Sequence, residues 1–350
     1  MKVGLVLGAG GVMGGAWLTG GLEALARETQ WDPGSADYIV GTSAGSMMGS
    51  LIAAGIPPWF MVAHSAGEVF EGLAGPDGRA AKDADRAGGA VFRLDRRIPR
   101  IGPGSWSMIA NGLTRLGPRT PTAVLCGLLP EGLISTDPIK DTVRRAVSGD
   151  WPDHPRLWVV ACDYGTGRRV PFGKRDAPRA EIGDAVAASC AIPGFYRPAT
   201  IGGRRYVDGG VWSTSNLDIL RGEALDLVVC LNPTSSLHPP QAWNPAHQIA
   251  HFFRRASGRL LGSEAKVLRG EGTEVVLVQP TDEDHAVMGA NLMATRNRNL
   301  VIDTAIQTVG RQLREPGARE LLRDLPAGEP QKLARPDGPP ESWPQIGARA

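Results

Sequence analysis

No stretch of this 350-residue chain approaches the roughly 20 consecutive apolar residues that a membrane-spanning helix needs, so any membrane contact is expected to be peripheral. Cysteine is scarce and dispersed. Cys126, Cys162, Cys190 and Cys230 form no CxxC pair and no Cys/His cluster, which argues against structural zinc and for reduced thiols in a cytoplasmic protein. Net charge is nearly absent: 38 basic residues face 36 acidic ones, and a formal +2 is too weak a field to argue for a nucleic-acid partner. No internal repeat is found.

What the chain has in quantity is apolar residues, 42%, and 46 glycines. That is enough to bury a full core, and the order of elements reads as one α/β domain with an insertion. Residues 2–7 (KVGLVL) read as a buried strand, glycines follow as a tight loop, and residues 16–28 read as a helix with Leu18, Leu22 and Leu25 at helical spacing. One lysine, an apolar stretch and Ala24-Leu25-Ala26 imitate a signal peptide, but glycines at 8, 10, 11, 14 and 15 interrupt it too early. A second strand is expected at 36–40, a small-residue helix at 46–54, and a third helix from Pro57 and Pro58 to near Glu71.

Periodicity fails from Gly72 to about Gly132, where Gly, Pro, Asp and Arg surround apolar islands such as Trp106, Met108 and Ile109. This segment reads as an inserted cap or flexible lid. Between residues 77 and 100 it holds seven basic residues against four aspartates, a pattern shared by a solvated face and by attraction to an anionic lipid surface. Further on, helices are expected at 138–147 and 181–190, strands at 157–161, 168–172, 204–207, 225–231 and 274–278, and long helical stretches at 246–268 and 286–313. Six prolines after Asp324 point to a disordered tail over 324–350, leaving 1–323 as the domain and 72–132 as its insertion.

Three motifs carry chemistry. Gly41-Thr42-Ser43-Ala44-Gly45 is a GxSxG between a strand and a helix, where Gly41 and Gly45 leave room for a sharp turn that projects the Ser43 hydroxyl. Gly8-Ala9-Gly10-Gly11-Val12-Met13-Gly14 joins the first strand to the first helix, and backbone N–H groups at such a turn hold an anion, either a phosphate or an acyl-transfer oxyanion. A dinucleotide GxGxxG starting at Gly8 would need glycine at residue 13, which is Met, and a phosphate-cradling loop would need a lysine that is missing. The third motif, Asp208-Gly209-Gly210, ends a strand; an aspartate there is often only a turn former. The histidines sharpen its role. His64, His154, His238, His247 and His251 lack catalytic context, and His285, in DEDHAV, is the best spare candidate but reads as a solvated helix start. A serine enzyme built on this chain needs another base, and Asp208 is available.

In this order the three motifs resemble the patatin-like phospholipases of bacterial type, and the likeness extends to CDYGTG at 162–167, ASCAIPGFYRP at 188–198 and Asn216, over approximately residues 2–310 without the insertion. The resemblance implies a three-layer α/β/α sandwich with a mostly parallel central sheet. It also implies a carboxylic ester hydrolase acting on a lipid or acyl ester, with Ser43 as nucleophile, Asp208 as base and Gly10, Gly11 and Val12 as oxyanion N–H donors. Gly8, Gly14, Gly41, Gly45, Gly209 and Gly210 would support these motifs, and neither metal nor organic cofactor is expected. Two departures stand out: Ala9 replaces a family glycine, and Met13 stands where Arg is usual, with one extra residue before Trp17. Acyl transfer or thioester hydrolysis by the same dyad, and a lipid-binding protein that no longer turns over, remain alternatives on these residues.

Overall fold

A computed structural model of the chain describes residues 1–68, 92–97, 102–114, 120–236 and 245–337. Strand β1 (Val3–Leu7) is buried on both faces, as its unbroken apolar run requires, and sits near the middle of an eight-stranded sheet. Its neighbours are β2 (Tyr38–Thr42) on one side and β9 (Leu227–Leu231) on the other, both parallel to it. Beyond β9 lies the parallel β10 (Glu274–Val278), and beyond β2 the parallel β5 (Leu157–Asp163). The far edge is antiparallel: β6 (Arg169–Phe172) and β8 (Arg204–Asp208) pair with β5, and β7 (Ala199–Ile201) pairs with β8.

The strand period of two sorts the core into two layers. Leu5, Leu7 and Ile39 point to one face, packed under α1 (Gly11–Thr29), α2 (Ala44–Ala53) and α10 (Arg298–Arg314). Val143 of α6 (Asp137–Ala146) and Ala185 of α7 (Ile182–Ser189) continue the same core. Val6, Val40, Trp158 and Val228 point to the other face, covered by Leu261, Ala265 and Leu268 of the long helix α8 (Pro245–Gly270) and by the 3₁₀ turn Leu217–Leu220. The result is the expected three-layer α/β/α sandwich around a mostly parallel sheet. Helix α1 is buried almost all round because α10 crosses it closely: a Cβ on Gly20 would lie 2.3 Å from the Ile302 carbonyl oxygen.

Several expectations shift. Helix α1 starts at Gly11, not at residue 16, so most of the glycine run is the helix's first turn. The stretch expected as one helix over 286–313 is two, α9 (Asp282–Met288) and α10. Gly289 at φ 68° and Asn297 at φ 64° break it. The third helix, α3 (Pro58–Ser65), stops short of Glu71. Within the aperiodic segment the described residues form two helices, α4 (Trp106–Thr114) and α5 (Thr120–Leu128), and a strand, β3 (Arg93–Leu94), that pairs with β4 (Ile134–Ser135) just beyond it in a short ribbon. Residues 325–335, read from composition as a disordered tail, pack on the body. Leu325 and Leu333 are buried, and Trp59 donates to the Gln331 carbonyl at 2.9 Å. Arg79, Lys82, Arg86, Arg100 and His238, the tail from residue 338, and the side chains of His247 and His251 lie outside the described residues.

Candidate active site

Strand register brings two of the motifs together. β2 runs parallel along β5 and ends at Thr42, opposite Val160; β8 runs antiparallel and ends at Asp208, opposite Ala161. Since β6 pairs with the same residues of β5 from the other side, β2 and β8 share one edge of β5 and meet end to end. Ser43 and Asp208 are therefore the residues at which two opposed strands terminate.

The turn after β2 is as sharp as the GxSxG spacing requires. Ser43 sits at φ 53°, ψ −120°, a conformation an L-residue holds only under constraint, with its hydroxyl hydrogen-bonded to the Asp208 carboxyl. Its N–H donates to Ser189 Oγ at 2.8 Å, and that hydroxyl donates to the Val160 carbonyl at 2.6 Å, which clamps the elbow to β5. The flanking glycines are steric necessities: a Cβ on Gly45 would lie 2.0 Å from the Leu7 carbonyl oxygen, and one on Gly41 2.5 Å from that of Gly45. Gly209 is equally constrained, its Cβ falling 2.3 Å from the Val160 carbonyl.

Asp208 is 5% exposed and Ser43 3%. Burial raises the Asp208 carboxyl to about 6, against the opposing pull of the Ser43 hydroxyl and of the Gly210 N–H, which donates to it at 2.7 Å. No histidine hydrogen-bonds to either residue among the described ones. His285, expected at a solvated helix start, is instead buried in α9. Cys126 and Cys190 stand close by, and burial, reinforced by the Asp208 charge, pushes both thiols up to about 12, so neither is a thiolate nucleophile at neutral pH.

The glycine motif completes the cluster. Gly8 and Ala9 spend their N–H groups on the Leu231 and Thr214 carbonyls, and Met13 donates to the Leu292 carbonyl at 2.9 Å. Between them the N–H groups of Gly10, Gly11 and Val12, at the N-terminus of α1, take no acceptor among the described residues. Gly11 has φ 61°, and a Cβ there would lie 2.9 Å from both the Leu292 carbonyl oxygen and the Met293 sulfur. A Cβ on Gly210 would come within 3.5 Å of the Ala9 Cβ, so the Asp208 turn abuts this loop. Gly14 and Gly10 pack against Pro233, while Met13 is buried in the core.

Sequence reasoning missed two supports. Leu292 lies in the break between α9 and α10, which Gly289 and Asn297 mark. The other is a relay from α8: Glu264 accepts the Ser215 hydroxyl at 2.6 Å and the Leu217 N–H at 3.0 Å, with Asn216 between them. Asn216, noted in the sequence without a role, sits at φ 51° and donates to Thr42 Oγ1 at 3.1 Å and to the Ser213 carbonyl at 2.6 Å, tying the segment after Asp208 to the strand that carries Ser43. Burial, with the nearby Asp218 charge, raises the Glu264 carboxyl. The family model described as patatin-like phospholipase matches residues 5–221, which include all three motifs and end before Glu264 and Leu292.

Proposed function

The chain belongs to the patatin-like phospholipases, a family of lipid acyl hydrolases, and on that premise we propose that it cleaves acyl esters of lipids through a Ser43–Asp208 dyad. The observation that carries this reading is the meeting of β2 and β8, with a strained serine hydrogen-bonded to a buried carboxylate of raised pKa. A carboxyl that titrates near 6 is a better proton acceptor than an ordinary aspartate, yet it is still mostly ionised at pH 7.

Asp208 takes the Ser43 proton as Oγ bonds to the acyl carbon. The carbonyl π electrons move to oxygen, and the N–H groups of Gly10, Gly11 and Val12 hold the oxyanion. Collapse breaks the ester C–O bond, and the departing alcohol leaves with the proton from Asp208. Water then attacks the acyl-enzyme, giving its proton to Asp208, and the fatty acid departs as the proton returns to Ser43.

A fluorophosphonate probe tests the nucleophile. It should add to Ser43 in the wild type and not to Ser43→Ala, and the variant should lose about 10⁴-fold or more of its activity on a p-nitrophenyl ester while keeping its fold. A Ser43→Ala protein that still hydrolyses the ester in a clean preparation would remove the proposed role.

A further inference from the structure

Helices α4 and α5 have two different faces. Inward, Met108 is fully buried with Cys162, Tyr164 and Val207, the Asn111 amide donates to the Gly165 carbonyl, and Cys126 lies close enough to Asp208 to feel its charge. Outward, the surface is apolar. Of the eleven large hydrophobic side chains exposed among the described residues, eight lie between residues 92 and 133, and Leu94, Trp106 and Leu113 are each more than three-fifths exposed.

The patch is continuous along the backbone. Trp106 and Leu113 lie two turns apart on one face of α4. The N–H groups of Gly104 and Ser105 donate to the Leu129 and Gly127 carbonyls, which sets the start of α4 against the end of α5 with its exposed Leu125 and Leu128. From Leu129 the chain runs on to Leu133, whose carbonyl accepts the Asp95 N–H beside Leu94.

Charge narrows the choice of partner. The ribbon adds exposed Arg93, Arg96 and Arg97; Asp137 pairs with Arg93 at 3.1 Å, and Asp95 is held by Arg97 and Arg197, which leaves a basic excess at the surface. Arg96 makes no ion pair among the described residues. A second copy of the chain, meeting this face about a two-fold axis, would oppose arginines to arginines. An anionic bilayer offers apolar depth for the tryptophan and leucines and phosphate for the arginines. No helix among the described residues is long and apolar enough to cross a membrane.

We propose that the outer face of α4, α5 and the β3–β4 ribbon docks on an anionic lipid surface, holding the Ser43–Asp208 site, near which Cys126 of α5 lies, close to its substrate. The second half of that statement rests on the hydrolase reading; the docking itself does not. The full chain carrying Ser43→Ala is therefore the reagent, cosedimented with vesicles of phosphatidylcholine alone or with one third phosphatidylglycerol. The phosphatidylglycerol vesicles should bind it, and more weakly at high salt. Trp106→Asp with Leu113→Asp should cost at least tenfold in affinity, and Leu94→Asp with Leu133→Asp, on a separate element, should repeat the loss. Arg96→Glu should cost roughly fivefold or more at low salt. Melting curves confirm that each variant is folded.

The proposal fails if the parent protein ignores phosphatidylglycerol vesicles, or if both double variants bind as it does. It also fails if the substitutions instead dissolve a dimer in sedimentation equilibrium, since a second copy then covers the face. Ester hydrolysis by the chain with Ser43 intact, run in parallel, separates the two readings: vesicle binding without hydrolysis supports docking and counts against the hydrolase, and hydrolysis without vesicle binding does the reverse.

Discussion

From Tyr38 to Ser43 every residue is buried, and the backbone ends in an elbow that few residues tolerate; among the described residues from Phe92 to Leu133 most of the large apolar side chains face solvent. The same chain thus holds a floor fixed from all sides and an outer helix pair, α4 and α5, fixed from one. In the floor, a Cβ on Gly41, Gly45 or Gly209 would strike the carbonyl of Gly45, Leu7 or Val160, so position is tightly dictated there. In the helix pair, position depends on a handful of contacts through Ser105, Met108 and Asn111, while the outer surface is left to other demands. Chemistry needs the first kind of construction and a soft interface tolerates the second.

That contrast is sharpest at Asn216. Replacing it with alanine removes the bonds to Thr42 and Ser213 and places a Cβ residue at φ 51° without side-chain compensation. Turnover should fall about 100-fold through misplacement of Asp208 relative to Ser43, with a loss of roughly 2–4 kcal/mol in stability. Urea unfolding and kcat on a soluble ester check both numbers, and a near-wild-type variant would mean the floor is less constrained than described.

The floor is also where stability and function should conflict. The Asp208 carboxyl titrates near 6 in the folded chain and near 3.8 when unfolded, so between those values the native state holds a proton that the unfolded state has lost. Stability therefore falls as pH rises from about 3.8 to 6 and stays at the lower level above. Asp208→Asn should escape this penalty and gain up to about 3 kcal/mol at pH 7.5, with the gain gone at pH 3.5. Denaturant midpoints at the two pH values decide it; an equal gain at both would mean that ionisation is not its source.

In the α4–α5 pair the effects should be smaller and one-sided. Met108→Ala opens a cavity against Tyr164 and Val207 and should cost about 2–3 kcal/mol, whereas Leu113→Ala, 62% exposed on the same helix, should stay within about 0.5 kcal/mol. Similar costs at the two positions would dissolve the distinction between inner and outer face.

The two regions are unequally legible in the sequence. Ser43, Asp208 and the glycines stand out because a strained turn and a close backbone approach restrict residue type locally, and the strands because an unbroken apolar run as short as residues 227–231 suits a doubly buried strand better than a helix. Helices α4 and α5 do not stand out: Thr, Gly and Asn weaken their pattern, and their apolar side chains point both inward and outward, which blurs the helical period. Leu292 and Glu264 are hidden for another reason, since each acts on the site from more than 40 residues downstream of Asp208 through one carbonyl or one carboxylate. The packed segment at 325–335 misleads because its proline content outweighs the two leucines that anchor it.

The central claim is that Asp208, with no histidine, takes the proton from Ser43, and the pH dependence of kcat/KM tests it most directly. Wild type should rise through an apparent pKa of about 6 and then level off, and Asp208→Asn should be flat and lower by about 10³-fold or more from pH 5 to 10. A variant whose activity still climbed with pH, paired with a His285→Ala protein that had lost its own, would place the base on His285 and contradict the dyad.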